Sequence, residues 1–514
     1  MLKWIKRIVI VAVMAAVSLL VGRWLWPLPD ISGRAVESAL PVSADTRLGR
    51  YMLTAAAEHP GLTGVLPLAD GRDALASRLA LIERAEHSID SQYYIWHDDS
   101  SGILLLDALE RAAARGVRVR LLLDDNGIDG LDGYLAALNA GANFHIRLFN
   151  PSTVRKPKLL GFAFDFLRMN RRMHNKSLIV DGAVTIIGGR NIGDEYFEIG
   201  ETYFKDMDVL ATGTIVADTS RVFDAYWNSG SVFALESLVK GAGDAAGLAA
   251  RNAAVKADDQ TRVLLHEMQS TATRYAEQDA LLEWTRVHLV ADDPIKGQGK
   301  ARRDQLMAMR LAEILGTVER RMDVVSAYFI PGKEGVAYFS NLARAGKQVR
   351  VLTNALNTTD VVAVHAGYAK YRRALLESGV SLYEMKLRGS STAADQQMKP
   401  FGLSGASLHA KTFAIDDERV FIGSFNFDPR SVMLNCEMGF LIESPTMAKR
   451  VTDVFDHQIE YISYRPELTP DGHMVWQETL ADGKRHTYQQ EPDTSGFQQV
   501  MLAIIGVLPV EWLL

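Results

Sequence analysis

The chain repeats itself, and that repeat limits the available folds more than any other feature. The strand-like run Ile89-Asp90-Ser91-Gln92-Tyr93-Tyr94-Ile95 returns 235 positions later as Val324-Val325-Ser326-Ala327-Tyr328-Phe329-Ile330. Residues 115–122 echo residues 345–352, and residues 221–226 echo residues 450–455. The strongest match sets His174-Asn175-Lys176-Ser177-Leu178-Ile179-Val180-Asp181 against His409-Ala410-Lys411-Thr412-Phe413-Ala414-Ile415-Asp416, again 235 apart. Four matches in one order predict two copies of a single unit. Within a copy, helical spacing alternates with strands. Leu75, Leu79 and Ile82 precede the Ile89 strand, and Leu104, Leu105, Ala108 and Ala112 precede the strand at 117–123. This alternation predicts an α/β fold, with helices layered on sheets.

Length allows this doubling. The 514 residues, 48% hydrophobic and 23% charged, suffice for two large units with cores that need no staples. The single cysteine, Cys436, excludes an internal disulfide and a Cys-rich zinc site. A balance of 56 basic against 62 acidic residues, net −6, argues against a duplex-DNA binder. The expected organisation is an N-terminal membrane anchor at 1–29, a first unit at 30–255, a connector and second unit at 256–465, and an apolar C-terminal tail at 466–514. The connector is placed at the Ala-, Gly- and Asp-rich stretch 240–259, and a mobile loop is expected at 389–407. Residues 498–514 turn apolar but are too short and interrupted to span; they suit membrane-surface contact or core docking.

The anchor rests on Lys3, Lys6 and Arg7, followed by an apolar run from Ile8 to Gly22 in which Ser18 is the only polar residue. As a helix, residues 8–28 would reach about 31 Å, enough for a bilayer core. Trp4, Trp24 and Trp26 lie near its ends, where interfacial aromatics belong. A cleaved signal peptide is the alternative, but no small-x-small site precedes Asp30. The basic residues before the span would hold the tip in the cytoplasm and send the body across.

Chemistry gathers at the doubled motif. In a strand, residues i and i+2 share a face, so His174 projects with Lys176 and His409 with Lys411. Asp181-Gly182 between two apolar runs predicts a tight hairpin. Its return strand brings Gly188, Gly189 and Asn191 alongside His174, and the second copy brings Gly423, Ser424 and Asn426 beside His409. In both copies the Asn follows the His by 17 residues. Two imidazoles, two ammonium groups, two carboxamides and small residues that admit a ligand suit a phosphate ester. One neutral His would attack phosphorus, and the other, as imidazolium, would protonate the departing alkoxide. No metal is required, and no His, Cys and carboxylate cluster has metal-ligand spacing in the sequence. His97 and the other histidines are expected at surfaces or in the core.

The signature H-x-K-x4-D followed by G-[S/G]-x-N resembles that of the phospholipase D superfamily. His174, Lys176, Asp181, Gly189 and Asn191 carry it once; His409, Lys411, Asp416, Ser424 and Asn426 carry it again. The resemblance implies two phospholipase D-like lobes, each a mixed β-sheet flanked by helices. It also implies a pseudo-twofold relation between them, with the site in the middle, and a phosphohistidine intermediate with retention. It assigns His174 as nucleophile and His409 as acid/base, with the swap left open. It counts the lysines and the motif aspartates with the catalytic set, although hairpin-turn positions favour a structural role for Asp181 and Asp416. Gly189, Asn191, Ser424 and Asn426 would bind substrate phosphate. A downstream carboxylate often orients the histidine: Glu437 lies 28 residues after His409, whereas Thr202 holds the matching place in the first copy and leaves Asp206 as a weaker candidate. Residues 189–197, 291–294, 365–372 and 508–514 are most similar to bacterial cardiolipin synthases of the type C branch. That similarity implies phosphatidyl transfer at the bacterial inner membrane, with the catalytic body in the periplasm. The substrates would be phospholipids, phosphatidylglycerol with phosphatidylethanolamine as an allowed partner, without cofactor, metal or nucleic acid. A hydrolase, a nuclease of the superfamily and a catalytically dead scaffold are the competing readings.

Overall fold

The structure, a computed structural model, describes residues 2–276, 282–359, 361–386, 406–494, 499, 502 and 511–513. Two mixed sheets organise the chain. In the first, Ser88–Ile95 is central, pairing parallel with Arg118–Gly127 (Ile89 opposite Val119) and antiparallel with Ser177–Val180 (Ile89 opposite Val180). In the second, Arg321–Ser326 plays the same part, parallel to Gln348–Asn354 (Val324 opposite Val351) and antiparallel to Lys411–Ile415 (Val324 opposite Phe413). Both sheets continue through the motif hairpin, Val184–Gly188 in one and Arg419–Gly423 in the other. The repeat is thus a repeat of strand order as well as of sequence.

Burial explains why these strands read as unbroken apolar runs. Helices Ser100–Ala114 and Gly332–Arg344 connect the parallel strands, which need a long crossover. Asp99 caps the first of these helices by accepting the N–H of Gly102. The cores on the outer faces, with Leu105, Leu121 and Ile186 in one and Val324, Val351 and Phe413 in the other, stay separate. Between the sheets lies a shared core. There Phe223 and Trp227 of helix Thr214–Trp227 and Val451 and Phe455 of helix Pro445–His457 bury together with Ile187 and Ile422.

Several expected boundaries fall elsewhere. The stretch read as a connector forms helix Ala245–Ala257, capped by Asp244, and its Leu248 and Val255 enter the first outer core. Two large residues on one face are enough to dock an Ala-rich helix. The passage between lobes comes later, between Glu283–Thr285 on the first sheet and Val287–Ala291 on the second. The division at 465/466 cuts strand Ser463–Leu468, and Met474–Thr479 and Arg485–Tyr488 extend the second sheet beyond it. Of the loop expected at 389–407, residues 389–405 lie outside the described residues, while Ala406 and Ser407 belong to strand Ala406–Leu408; most of the apolar end at 498–514 also lies outside the described residues. Leu2–Leu25 forms a 24-residue helix, many of whose side chains lie outside the described residues. No helix among the described residues is long and apolar enough to cross a membrane.

Candidate active site

The two motif histidines meet between the lobes, each only 8% exposed. Each is held by the other lobe. Met173, one residue before His174, bridges in parallel to Cys436 of the second lobe. The His174 N–H donates to the Cys436 carbonyl at 2.8 Å, and the Cys436 N–H donates to the Arg172 carbonyl at 2.8 Å. In the other direction, Ala406–Leu408 pairs in parallel with Tyr203–Lys205 of the first lobe. The N–H groups of His409 and Ala410 donate to the Lys205 carbonyl at 2.8 and 2.9 Å.

These exchanged segments deliver exchanged carboxylates. Glu437 follows Cys436, and its Oε2 lies 2.8 Å from His174 Nδ1. Asp206 follows Lys205, and its Oδ2 lies 2.5 Å from His409 Nδ1. Sequence order points Glu437 to His409; the structure places it on His174 and puts Asp206, the weaker candidate, on His409. Thr202 lies exposed in the preceding turn. The reason is geometric: each carboxylate sits one residue beyond a bridge that crosses to the opposite lobe.

The tautomers follow. His174 Nδ1 also meets the Ser424 carbonyl at 3.1 Å. A carbonyl only accepts, so Nδ1 carries the proton and Nε2 keeps its lone pair. His409 Nδ1–H likewise points to Asp206. Ser424 Oγ donates to Glu437 Oε2 at 2.5 Å. Lys176 Nζ donates to the His174 carbonyl at 2.6 Å, and Lys411 donates to the His409 carbonyl. Both lysines are buried. Asn191 accepts the Ile95 N–H through Oδ1 at 3.2 Å, and its Nδ2 has no partner among the described residues; neither does Asn426 Oδ1. Gly189 admits Asp206, because a Cβ there would stand 2.1 Å from its Oδ1.

Asp181 and Asp416, counted with the catalytic set on the motif, sit at the far ends of their strands. Asp181 Oδ1 accepts the N–H groups of His87 and Ser88 at 2.8 and 2.9 Å. Asp416 Oδ1 accepts those of Arg320 and Arg321 at 2.7 and 2.9 Å, and its Oδ2 accepts that of Glu319 at 2.9 Å. Both clamp the segment that begins the central strand, and the hairpin length separates them from the histidines.

Three positioning residues were not singled out from the sequence, two of them without a legible signal and the third, Asp292, in a run that carries the family resemblance. Asp124 accepts the Met173 N–H at 2.8 Å and pairs with Arg172 at 3.0 Å, fixing the approach to His174. Asn354 does the same before His409, accepting the Leu408 N–H at 3.0 Å and donating to its carbonyl at 2.9 Å. Asn354 ends the strand parallel to the central one, and Asp124 lies in the second half of its counterpart Arg118–Gly127, toward the end where ligand sites of α/β sheets gather. Asp292, in the run 291–294, accepts the Glu437 N–H at 2.9 Å and pairs with Lys296 at 2.8 Å.

Charge distinguishes the two halves. Burial, then Lys176, Lys411 and His409, hold His174 well below the usual imidazole range, so it stands neutral. Burial pushes Glu437 up to about 7, with Lys176 opposing, and burial brings Lys176 down to about 7. Burial also raises Asp206, but His409 and Lys411 outweigh it and leave Asp206 below the usual carboxylate range. Burial and Lys411 lower His409, with Asp206 opposing. One half therefore holds a neutral imidazole, the other an imidazole facing a firmly ionised carboxylate.

A possible cation cluster that spacing did not reveal joins His97, Asp99 and Glu195, with ligand atoms within 4.8 Å of one another. Glu195 comes from a distant part of the chain, and its 3.1 Å contact with His97 Nδ1 accounts for the grouping as an ion pair that raises the His97 pKa.

The chain is similar to known proteins. The family described as "Cardiolipin synthase, PLD-like domain" matches residues 79–227 and 311–459, one segment in each lobe. Cardiolipin synthase C of Escherichia coli (strain K12) is 46% identical over 474 residues, covering 91% of this chain and 100% of that protein. A cardiolipin synthase of Listeria welshimeri is 26% identical over 406 residues, covering 78% of this chain and 69% of its own length. Among solved structures, phosphatidylserine synthase of Haemophilus influenzae Rd KW20 aligns with a TM-score of 0.49 at 13% identity, covering 80% of this chain and 91% of that one. With a matching segment in each lobe and a relative this similar along nearly the whole chain, the protein belongs to the cardiolipin synthase family with PLD-like domains.

Proposed function

We propose that the protein is a phosphatidyltransferase that makes cardiolipin through a phosphohistidine intermediate. One observation carries this reading: two buried histidines from two lobes, each tied through Nδ1 to a carboxylate of the other lobe, both with Nε2 left for chemistry. The neutral His174 Nε2 attacks the phosphorus of a donor phospholipid. As the bond from phosphorus to the headgroup oxygen breaks, His409 passes its Nε2 proton to that oxygen, and the headgroup leaves as a free alcohol. The primary hydroxyl of phosphatidylglycerol then gives its proton to His409 and attacks phosphorus. The P–N bond breaks and His174 is restored. Two in-line displacements give retention.

Charge supports the division of labour. Glu437 and the Ser424 carbonyl hold His174 in the tautomer that can attack, and Asp206 steadies a cationic His409. Lys176 and Lys411 would neutralise the phosphate oxygens. An anionic phosphate would in turn offset the Lys411 charge that holds His409 down, favouring its protonation in the complex. Asn191, Asn426, Gly189 and Ser424 would form the rest of the phosphate site. Reciprocal exchange between like strands supports a pseudo-twofold relation between the lobes.

Phosphatidylglycerol as acceptor, with phosphatidylglycerol or phosphatidylethanolamine as donor, follows the family and the alcohol chemistry of the site. The apolar run at 8–28, its flanking tryptophans and Lys3, Lys6 and Arg7 support a single inner-membrane anchor with a periplasmic body. The test is lipid turnover by the full chain in phosphatidylglycerol vesicles, with and without phosphatidylethanolamine. Cardiolipin is expected from the wild type and from neither His174→Ala nor His409→Ala. Phosphatidic acid without cardiolipin would make water the acceptor and replace the synthase reading with a hydrolase.

A further inference from the structure

Helix Leu159–Met169 is built inside out for water. Its buried positions are Gly161, Asp165 and Met169, while Leu159 is 76% exposed, Leu160 52%, Phe166 40% and Leu167 64%. A helix on an aqueous surface turns its carboxylate outward and its leucines inward. Here Asp165 lies inside, 2.9 Å from Arg23 and 2.5 Å from Arg168. The apolar side continues onto a second element, because Trp26 stacks on Phe164 with ring centroids 5.8 Å apart, and Trp24 is 79% exposed.

Basic side chains outnumber acidic ones in the sequence of this patch; Arg155 and Lys158 pair with Asp125, Asp129 and Asp132, and Arg172 is buried against Asp124. Residues 155–172 hold six basic side chains and one acidic, within a chain of net charge −6. A cleft of about 470 Å³ between the helix and residues 26–28 is lined by three cations, Arg23, Arg168 and Lys300, and by one carboxylate, Asp165, which pairs with both arginines. Lys156 and Lys300 are exposed and meet no carboxylate among the described residues. An apolar helix face with a cationic rim is the pattern of a helix lying in a lipid interface.

We infer that helix Leu159–Met169 and the adjoining residues 24–28 form a docking surface for an anionic phospholipid bilayer. Leu159, Leu160, Phe166 and Leu167 enter the acyl boundary, and lipid phosphates sit in the cleft beside Arg23, Arg168 and Lys300. The inference rests on the lipid-transfer reading and adds to it the surface that meets the bilayer. His174 lies only five positions after Met169, a reach of at most about 18 Å. A lipid beside the helix therefore need not leave the interface far before its phosphate meets the nucleophile.

Labelling tests the surface without relying on chemistry. Cys436 is buried, so a cysteine introduced by Leu167→Cys can be labelled selectively with an environment-sensitive fluorophore in the full chain. The protein is reconstituted in vesicles of phosphatidylglycerol and phosphatidylethanolamine carrying acyl-chain nitroxide lipids. Strong quenching is expected at position 167 and little at a label introduced by Asp482→Cys, in the exposed turn of the second sheet. Equal quenching at the two sites would overturn the inference. In parallel, Leu160→Glu combined with Leu167→Glu should cut vesicle turnover by about tenfold or more and leave turnover of a monomeric short-chain phosphatidylglycerol unchanged. Unaltered vesicle turnover would also overturn it. Quenching at position 167 of the labelled variant, together with no cardiolipin from the wild type, would leave the docking surface standing and remove the synthase reading instead.

Discussion

Replacing Glu437 by glutamine removes one charge and little else. Glu437 is fully buried, and its Oε2 accepts from His174 Nδ1 at 2.8 Å and from Ser424 Oγ at 2.5 Å. An amide oxygen can still accept both, so the tautomer and ring position survive. What is lost is the charge assistance to His174 as it becomes cationic on attacking phosphorus. A hydrogen bond to a charged group contributes about 1.5–3 kcal/mol, and each 1.36 kcal/mol is tenfold in rate. The neutral bond that remains contributes about 0.5–1.5 kcal/mol, so the loss is about 1–1.5 kcal/mol and Glu437→Gln should slow formation of the phosphohistidine by about 5- to 15-fold, with KM little changed. The pH profile sharpens the prediction. Burial holds this carboxyl at about 7, against the pull of Lys176. As pH falls through that value the carboxylate takes a proton, its charge is lost and wild-type turnover falls. Glutamine has no proton to take, so the variant's acid limb near 7 should vanish. The assay is a rapid-quench single turnover with labelled phosphatidylglycerol in vesicles, run from about pH 5 to pH 9. A wild-type rate in the variant, or an acid limb at the same midpoint, would refute the argument.

Asp206→Asn should act on the opposite limb: without the ionised partner, burial and Lys411 push His409 still lower. The alkaline limb of turnover then moves to lower pH, which the same profile measures. Gly189→Ala should displace the Asp206 carboxylate, since the new Cβ would stand 2.1 Å from Oδ1; activity should fall about tenfold or more with an unchanged far-UV circular dichroism spectrum. Asp416→Ala should lower stability by about 2 kcal/mol or more by stranding backbone N–H groups, read from urea unfolding, with turnover per folded molecule preserved. Burial raises Asp416, but the N–H groups of Glu319, Arg321 and Arg320 outweigh it and leave its pKa below 3.8. Its stabilisation is thus present above pH 3.8 and lost as pH falls through the folded pKa. An unfolding series toward acid should show this loss in the wild type and not in Asp416→Ala.

The sequence by itself determined the doubled α/β unit and the motif hairpins. The placing of His174 with Lys176 and of His409 with Lys411 needs only the two-residue period of a strand and the turn chemistry of Asp181-Gly182. Those are local rules, acting over a few residues. The origin of each histidine's carboxylate is not local. His174 and Glu437 lie 263 positions apart, His409 and Asp206 203 apart. Their pairing depends on two short bridges between the lobes, at Met173 with Cys436 and at Ala406–Leu408 with Tyr203–Lys205. Spacing suggested the same-lobe partner for Glu437 because a linear pattern carries no information about which lobe a strand edge will face. Asp124 and Asn354 were silent for the same reason: an Asp or Asn in or at the end of a strand is common, and only the folded sheet brings it beside the residue before a histidine. The helix at Leu159–Met169 is the clearest case. Its apolar composition is visible in the sequence, but which side faces outward was decided by the burial of Asp165 between Arg23 and Arg168, contacts that exist only once the chain has folded.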